Sequence, residues 1–258
     1  MTANRHGKVG GVTQPTSLEQ KTVVVVGGSS GIGFAVAAAA AAEGASVVIG
    51  STSQAKVVAA VERLPGTARG LPIDVTGESS VARFFADIGA FDHLAFTAGD
   101  WDTTPAGPPA EVDIERISAG MAVRLLGAIR VVKYGCRSID PAGSITLTSG
   151  ALAYRPRQGL WSGTPVVGAV NTLAAGLAVE LAPVRVNVVS PGFILNAPED
   201  ERAALNERRV QVTTPILERL PVARSGQPVE AAQAYLYSMK SPYTTGQEIR
   251  VDGGYSLV

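Results

Sequence analysis

The stretch Val26-Gly27-Gly28-Ser29-Ser30-Gly31-Ile32-Gly33 brings together residues suited to cradling a phosphate. It follows an apolar run, Val23 to Val26, and precedes an alanine-rich helical segment, so the glycines fall in a strand-to-helix turn. Gly27 permits the tight turn. Gly31 lets the backbone approach a pyrophosphate, and Gly33 lets the helix pack closely on the strand. The helix N-terminus offers free N–H groups and a positive dipole end to the phosphates, with Ser29, Ser30 and Ile32 in the same turn. A dinucleotide is the ligand such a turn serves. Cofactor preference is read at the end of the second strand, where Gly50-Ser51-Thr52-Ser53 supplies three hydroxyls and no acid. With no carboxylate to repel a 2′-phosphate, and with Ser30 as a fourth hydroxyl, NADP(H) is expected over NAD(H). Asp74 and Val75, closing the third strand, are expected beside the adenine. The alternative for Asp74 is a cap on the following helix.

The elements that must position this turn alternate between strand and helix. Strands are expected at Val23–Val26, Val47–Ile49, Gly70–Val75, His93–Thr97, Ser144–Thr148, Arg185–Val189 and Glu248–Val251. Helices are expected at Phe34–Glu43, Lys56–Leu64, Glu78–Ile88, Ile114–Tyr134, Val166–Leu181 and Gln227–Met239. The continuous β-branched run of the first strand suits a strand covered on both faces. Strict alternation of this kind predicts an α/β fold, a Rossmann-type doubly wound parallel sheet with helices on both faces. A single domain is expected from residue 19 to 258, after a polar tail over residues 1–18. The irregular stretch from Phe193 to Arg224 is expected to form a lid over the C-terminal edge of the sheet, where open α/β sheets bind ligands.

With 22 basic and 22 acidic residues among 258, the chain lacks the positive excess that nucleic acid or an anionic membrane surface would require. No apolar run is long enough to span a bilayer. The single cysteine, Cys136, excludes an intrachain disulfide and fits a reducing, cytoplasmic setting. The two histidines, His6 and His93, are far apart, and no metal constellation is expected.

From about Lys21 to its C-terminus the chain resembles the short-chain dehydrogenase/reductase family. The glycine turn is similar to the family's cofactor turn, and Asp74-Val75-Thr76 to its third-strand motif. Thr97-Ala98-Gly99 resembles the family's Asn-Asn-Ala-Gly segment. Ala178-Val179-Glu180-Leu181, Arg185-Val186-Asn187 and Ser190-Pro191-Gly192 resemble the stretch leading into the nicotinamide loop. Thr245-Gly246-Gln247 and Val251-Asp252-Gly253-Gly254 resemble its ending. The resemblance implies cofactor contacts at Thr97, Ala98, Gly99, Pro191, Gly192 and Ile194. It also implies a homodimer or homotetramer built on the two long helices.

The departures are informative. Counting back from Glu180 places Gly163 at the family's tyrosine position and Val167 at its lysine position. The family serine falls on Gly150, next to Ser149, and the family asparagine on Arg124. Val26 stands where threonine is usual, and Asn196 where a cofactor-contacting threonine is common. The acid chemistry of a tyrosine tuned by a lysine cannot be carried over. Arg124 is the first candidate replacement. It would hold the nicotinamide ribose or polarise a substrate oxygen, although a permanently charged guanidinium is a poor proton donor. Its alternative is a solvent-facing, salt-bridged helix arginine. Ser149 is a second candidate, or else a strand-end hydroxyl bonded to backbone. Tyr154 is a third, as an alternative acid. Asp100 and Trp101 are expected at the mouth of the substrate cleft, and Trp161 in its wall. Two functions follow. One is a reductase delivering hydride from NADPH to an activated C=N, C=C or C=O bond. The other is a non-redox NADP(H)-binding cyclase, isomerase or regulatory protein on the same fold.

Overall fold

The computed structural model describes residues 17–99, 107–195 and 214–258. Seven parallel strands form one sheet in the order β3-β2-β1-β4-β5-β6-β7. They are β1 (Thr22–Val26), β2 (Ser46–Ser51), β3 (Ala68–Pro72), β4 (Phe91–Phe96), β5 (Ile139–Thr148), β6 (Arg185–Pro191) and β7 (Glu248–Val251). The helices are α1 (Gly31–Ala42), α2 (Gln54–Val61), α3 (Glu78–Ile88), α4 (Ile114–Met121), α5 (Gly127–Gly135), α6 (Gly163–Glu180) and α7 (Pro228–Lys240).

The valine run of β1 shows why the sheet must be covered twice. Val24 and Val26 enter the core beneath α3, α5 and α6. Val23 and Val25 enter the core beneath α1, α2 and α7. All four are essentially inaccessible to water, so no position along the strand can be polar. On the second face, alanines let α1 and α7 lie close. Ala37 and Ala40 share a core with Ala232 and Tyr235, and Lys240 Nζ reaches Glu43 Oε1 at 2.6 Å to tie the two helix ends together.

Several element boundaries differ from expectation, each for a local reason. Helix α1 begins at Gly31 rather than Phe34, inside the glycine turn itself. Strand β3 ends at Pro72, so Asp74 lies two residues beyond it instead of on its last rung. Strand β5 begins at Ile139, five residues early. The register shifts between Phe91 and His93, and the loop-like composition of Asp140-Pro141-Ala142-Gly143 conceals the pairing. The expected tail ends sooner than Leu18, whose side chain is 1% exposed in the core under α1, and residues 1–16 lie outside the described residues.

The largest correction concerns the helix expected from Ile114 to Tyr134. Between α4 and α5 the chain makes a π-helical turn over Ala122–Leu126, in which the Gly127 N–H donates to Ala122 O. Gly127 lies tight against β3's exit, where a Cβ would come 2.8 Å from Val75 Cγ2. Arg130 Nη1 donates to Val75 O at 3.2 Å and reaches Ala122 O at 3.5 Å, stitching the widened turn to the loop below. Such bulges interrupt helices most often at functional sites. This one carries Arg124.

Candidate functional site: a dinucleotide cleft with an altered reaction end

A cleft of about 810 Å³ runs along the C-terminal ends of the strands, across the point where β1 pairs with β2 on one side and β4 on the other. Chain connections leave that point in opposite directions, which opens a crevice above it. Its floor is the glycine turn. Gly27 adopts φ +91°, and a Cβ there would lie 2.7 Å from Ala98 N. A Cβ on Gly33 would lie 2.2 Å from Gly27 O and 2.4 Å from Thr97 Oγ1. The turn is therefore packed to contact on its protein side and open on its cleft side. Ser30, the residue before α1, makes no side-chain cap, and the first turn of α1 carries no acid. The helix presents uncommitted N–H groups and its positive end to the cleft, as a pyrophosphate requires.

The second strand closes the outer end. Ser29 Oγ donates to Ser51 Oγ at 2.8 Å, fixing the glycine turn against β2. Ser51, Thr52 and Lys56 line the cleft together. Ser53 does not line it, because its hydroxyl caps α2 by accepting from Lys56 N. Asp74 takes both of its expected roles. It lines the cleft, and its Oδ1 accepts from Thr76 N at 2.9 Å and Thr76 Oγ1 at 2.7 Å. Those Thr76 hydrogen bonds hold its carboxyl below the usual carboxylate range. The remaining residues expected at the cofactor (Ser30, Gly31, Ile32, Val75, Thr97, Ala98, Gly99, Pro191, Gly192 and Ile194) all line the cleft.

The inner end has a different character. Gly163, Val166 and Val167 of α6 face the cleft opposite Ala98 and Gly99, with Leu152, Phe193, Leu217 and Tyr255 completing an apolar wall. Arg124 enters from the π turn. Its guanidinium packs on Gly99, where a Cβ would fall 2.7 Å from Arg124 Cζ. The arginine thus faces the cleft rather than solvent. Its charge is also felt by Tyr235, a fully buried phenol whose pKa burial pushes up and Arg124 pulls back. Ser149 is 2% exposed and lines the same wall, but its hydroxyl donates to Val167 O at 2.8 Å.

Tyr154 is not brought to the cleft, contrary to its expected role as an alternative acid. Its hydroxyl accepts from Asn171 Nδ2 on α6, and Arg250 stacks 3.7 Å from its ring centroid. Burial first, and a hydrogen bond to Glu248 second, push its pKa up to about 12, the direction that makes a phenol hold its proton. Trp161 stands outside the lining, with Nε1 donating to Gly107 O at 3.1 Å. Asp100, Trp101 and Asn196 lie outside the described residues, as does most of the expected lid. Its described ends do meet the cleft. Thr214 and Leu217 line it, while Ile216 and Leu220 pack on Leu152, Val167 and Tyr255.

Lys56 and Tyr255 are site residues that sequence patterns did not reveal. For Lys56 a signal existed, since it follows the Ser51-Thr52-Ser53 hydroxyls within one helical turn. Tyr255 had none, because it arrives from the C-terminal segment after β7. Among the described residues, no three metal-ligating side chains cluster, and no helix is long and apolar enough to cross a membrane.

Known proteins agree with this geometry. A family profile described as enoyl-(acyl carrier protein) reductase matches residues 26–256. The short-chain dehydrogenase/reductase ucsE of Acremonium sp is 36% identical over 92% of this chain and 96% of its own length. MalC of Malbranchea aurantiaca, also described as a short-chain dehydrogenase/reductase, is 32% identical over 93% of this chain and 96% of its own. The solved structure of MalC, titled a reductase/Diels-Alderase, superposes with a TM-score of 0.82 at 30% identity, covering 93% of this chain and 98% of MalC. A small-chain dehydrogenase solved in complex with NADPH superposes at 0.77 with 31% identity, covering 93% of this chain and 100% of its own. The cleft has the turn, the open helix end and the hydroxyl-rich outer rim that NADP(H) needs, and the chain belongs to the short-chain dehydrogenase/reductase family of oxidoreductases.

Proposed function

We propose that this protein is an NADP(H)-dependent reductase that transfers hydride to an activated C=N, C=C or C=O bond of a small molecule without the family's Tyr–Lys pair. The observation that carries this reading is the composition of the inner cleft. Gly163 and Val167 occupy the α6 positions that the family resemblance assigns to tyrosine and lysine, and Arg124 approaches from the other side. Such a site binds and orients the reactants and excludes water, and its rate advantage comes from position and a fixed charge rather than from a tuned acid. Bound NADPH would supply the hydride. The chain's own residues hold it by the α1 N-terminus and the glycine turn. Ser51, Thr52 and Lys56 face its 2′-phosphate, and Lys56 is the cation that favours NADP(H) over NAD(H).

A second reading keeps NADP(H) as a structural ligand and makes the protein a cyclase or isomerase. It is favoured by the pairing of reductase with Diels-Alderase in the description of MalC. We also propose a homodimer or homotetramer assembled through the long helices, where Leu126, Ile129 and Val179 leave apolar surface exposed.

Fluorescence titration with NADPH and NADH, followed by stopped-flow oxidation of bound NADPH against a panel of imines, enones and ketones, tests the first reading. Micromolar NADPH affinity with substrate-dependent oxidation supports it. Tight binding without oxidation by any member of the panel transfers the protein to the second reading, and binding of neither cofactor overturns both.

A further inference from the structure

The hydroxyl groups of the inner cleft share one property. Thr97 Oγ1 donates to Val26 O at 3.0 Å, Thr148 Oγ1 to Phe96 O at 2.6 Å, Ser149 Oγ to Val167 O at 2.8 Å, and Tyr255 OH to Arg155 O at 2.9 Å. All four residues line the cleft. A hydroxyl has one proton, so each of these has given its proton to a backbone carbonyl and has none for a substrate oxygen. Because the Thr148 proton goes to Phe96 O, the buried Tyr235 hydroxyl, 2.6 Å from Thr148 Oγ1, must donate to it, and its proton is committed as well. Among the described residues lining the cleft, the charged side chains are Lys56 and Asp74 at the outer end and Arg124 at the inner end. The inner end therefore combines a permanent cation with hydroxyls that have no proton to give.

We infer that Arg124 is an oxyanion anchor and that the substrate is an α,β-unsaturated carbonyl compound; this rests on the NADP(H) reductase reading above. Three substrate classes make different demands. Reduction of an isolated carbonyl places hydride on carbon and leaves an alkoxide, a strong base that needs an acid within hydrogen-bond reach, and the inner wall supplies none. An iminium ion needs no acid, but it carries a positive charge, and a guanidinium that cannot lose its proton repels it in an apolar pocket where charges are poorly screened. A conjugated enone suits both features. Hydride adds to the β-carbon, the C=C pair moves toward oxygen, and the C–O bond takes up the charge as an enolate. The guanidinium stabilises that oxyanion as it forms, and the apolar wall of Leu152, Val166 and Val167 strengthens the attraction by excluding water. The α-carbon then takes a proton from water. The substrate gains two electrons and two hydrogens, and NADPH is oxidised to NADP+.

The full chain and its Arg124→Met and Arg124→Lys variants are titrated with 4-nitrophenol, whose phenolate mimics the enolate oxygen and is visible by its absorbance with or without cofactor. The anchor lowers the ionisation pH of the bound phenol by about one unit, a tenfold preference for the anion. Arg124→Met abolishes that shift, Arg124→Lys retains part of it, and NADPH affinity is unchanged in both. In turnover, kcat/KM for 2-cyclohexenone exceeds that for N-methyl-3,4-dihydroisoquinolinium by at least about tenfold. A phenol that fails to bind or to shift overturns the inference, as does a preference for the iminium. Retention of the shift in Arg124→Met with a tenfold loss of NADPH affinity also overturns it and makes Arg124 a cofactor-holding residue. Failure of the wild-type protein to bind NADPH defeats the reductase reading, while the phenol shift measured without cofactor still decides the anchor.

Discussion

The two ends of the cleft follow opposite rules. At the outer end, around Ser29, Ser51, Thr52 and Lys56, polar groups border open space, and the first turn of α1 leaves its N–H groups uncapped. At the inner end, around Val167, Leu152 and Tyr255, the walls are apolar and the hydroxyls are turned into the protein. The outer end is complementary to a charged, hydrogen-bonding ligand. The inner end excludes water and presents one fixed cation. The contrast teaches that cofactor binding and proton donation are separable within this fold, because they depend on different strands and helices.

The sharpest way to break the contrast is to fill the outer floor. Gly33→Ala puts a methyl group 2.2 Å from Gly27 O, a backbone atom that cannot swing aside. NADPH affinity should fall by about a thousandfold, roughly 4 kcal/mol, in a fluorescence titration. Retention of affinity would mean that the turn is not the cofactor floor.

Acid should affect both ends together through a group that belongs to neither. His93 is buried on β4, near the strand's start and away from the cleft, with Nδ1 2.9 Å from Ser144 Oγ. Burial lowers its pKa from 6.5 to about 4. The folded state therefore holds it neutral while the unfolded chain takes up a proton. Its contribution is intact above pH 6.5 and is lost as pH falls from 6.5 towards 4, by about 3 kcal/mol in total. Thermal melts across that window should show the loss, and His93→Leu should flatten the pH dependence. A cofactor affinity that fell below pH 6.5 with no change in melting temperature would locate the titrating group in the cleft instead.

Lys56→Met sharpens the outer end alone. NADPH affinity should drop by about tenfold, roughly 1.4 kcal/mol, with NADH affinity unchanged. An equal loss for both cofactors would remove Lys56 from the 2′-phosphate.

The smallest effects belong to the hydroxyls of the reaction end and its surroundings. Ser149→Ala should cost about 1 kcal/mol of stability by leaving Val167 O without its donor, yet should change turnover by less than about threefold. Tyr154→Phe should behave similarly, since that phenol is held by Asn171 and Glu248 outside the cleft. A hundredfold fall in kcat for either variant would restore it as a proton donor and erase the difference between the two ends.

Much of this molecule is legible in its residues. The valine run of β1, the amphipathic Val81, Phe84, Phe85 and Ile88 of α3, and the glycine turn each carry their instructions within a dozen neighbours. Strand-and-helix alternation then leaves few topologies. The positions vacated by tyrosine and lysine could likewise be counted along α6 before any coordinates existed. What could not be read depends on contacts between distant segments. The π turn that aims Arg124 at Gly99 is anchored by Arg130 to Val75, 55 residues earlier. The burial of Tyr154 away from the cleft is set by Asn171 and by β7. Above all, a serine or threonine looks the same in a sequence whether its proton faces a ligand or a carbonyl. Local chain order specifies which groups are present, and only the packed fold decides which way each hydroxyl bond points, because its acceptor lies on another strand or helix.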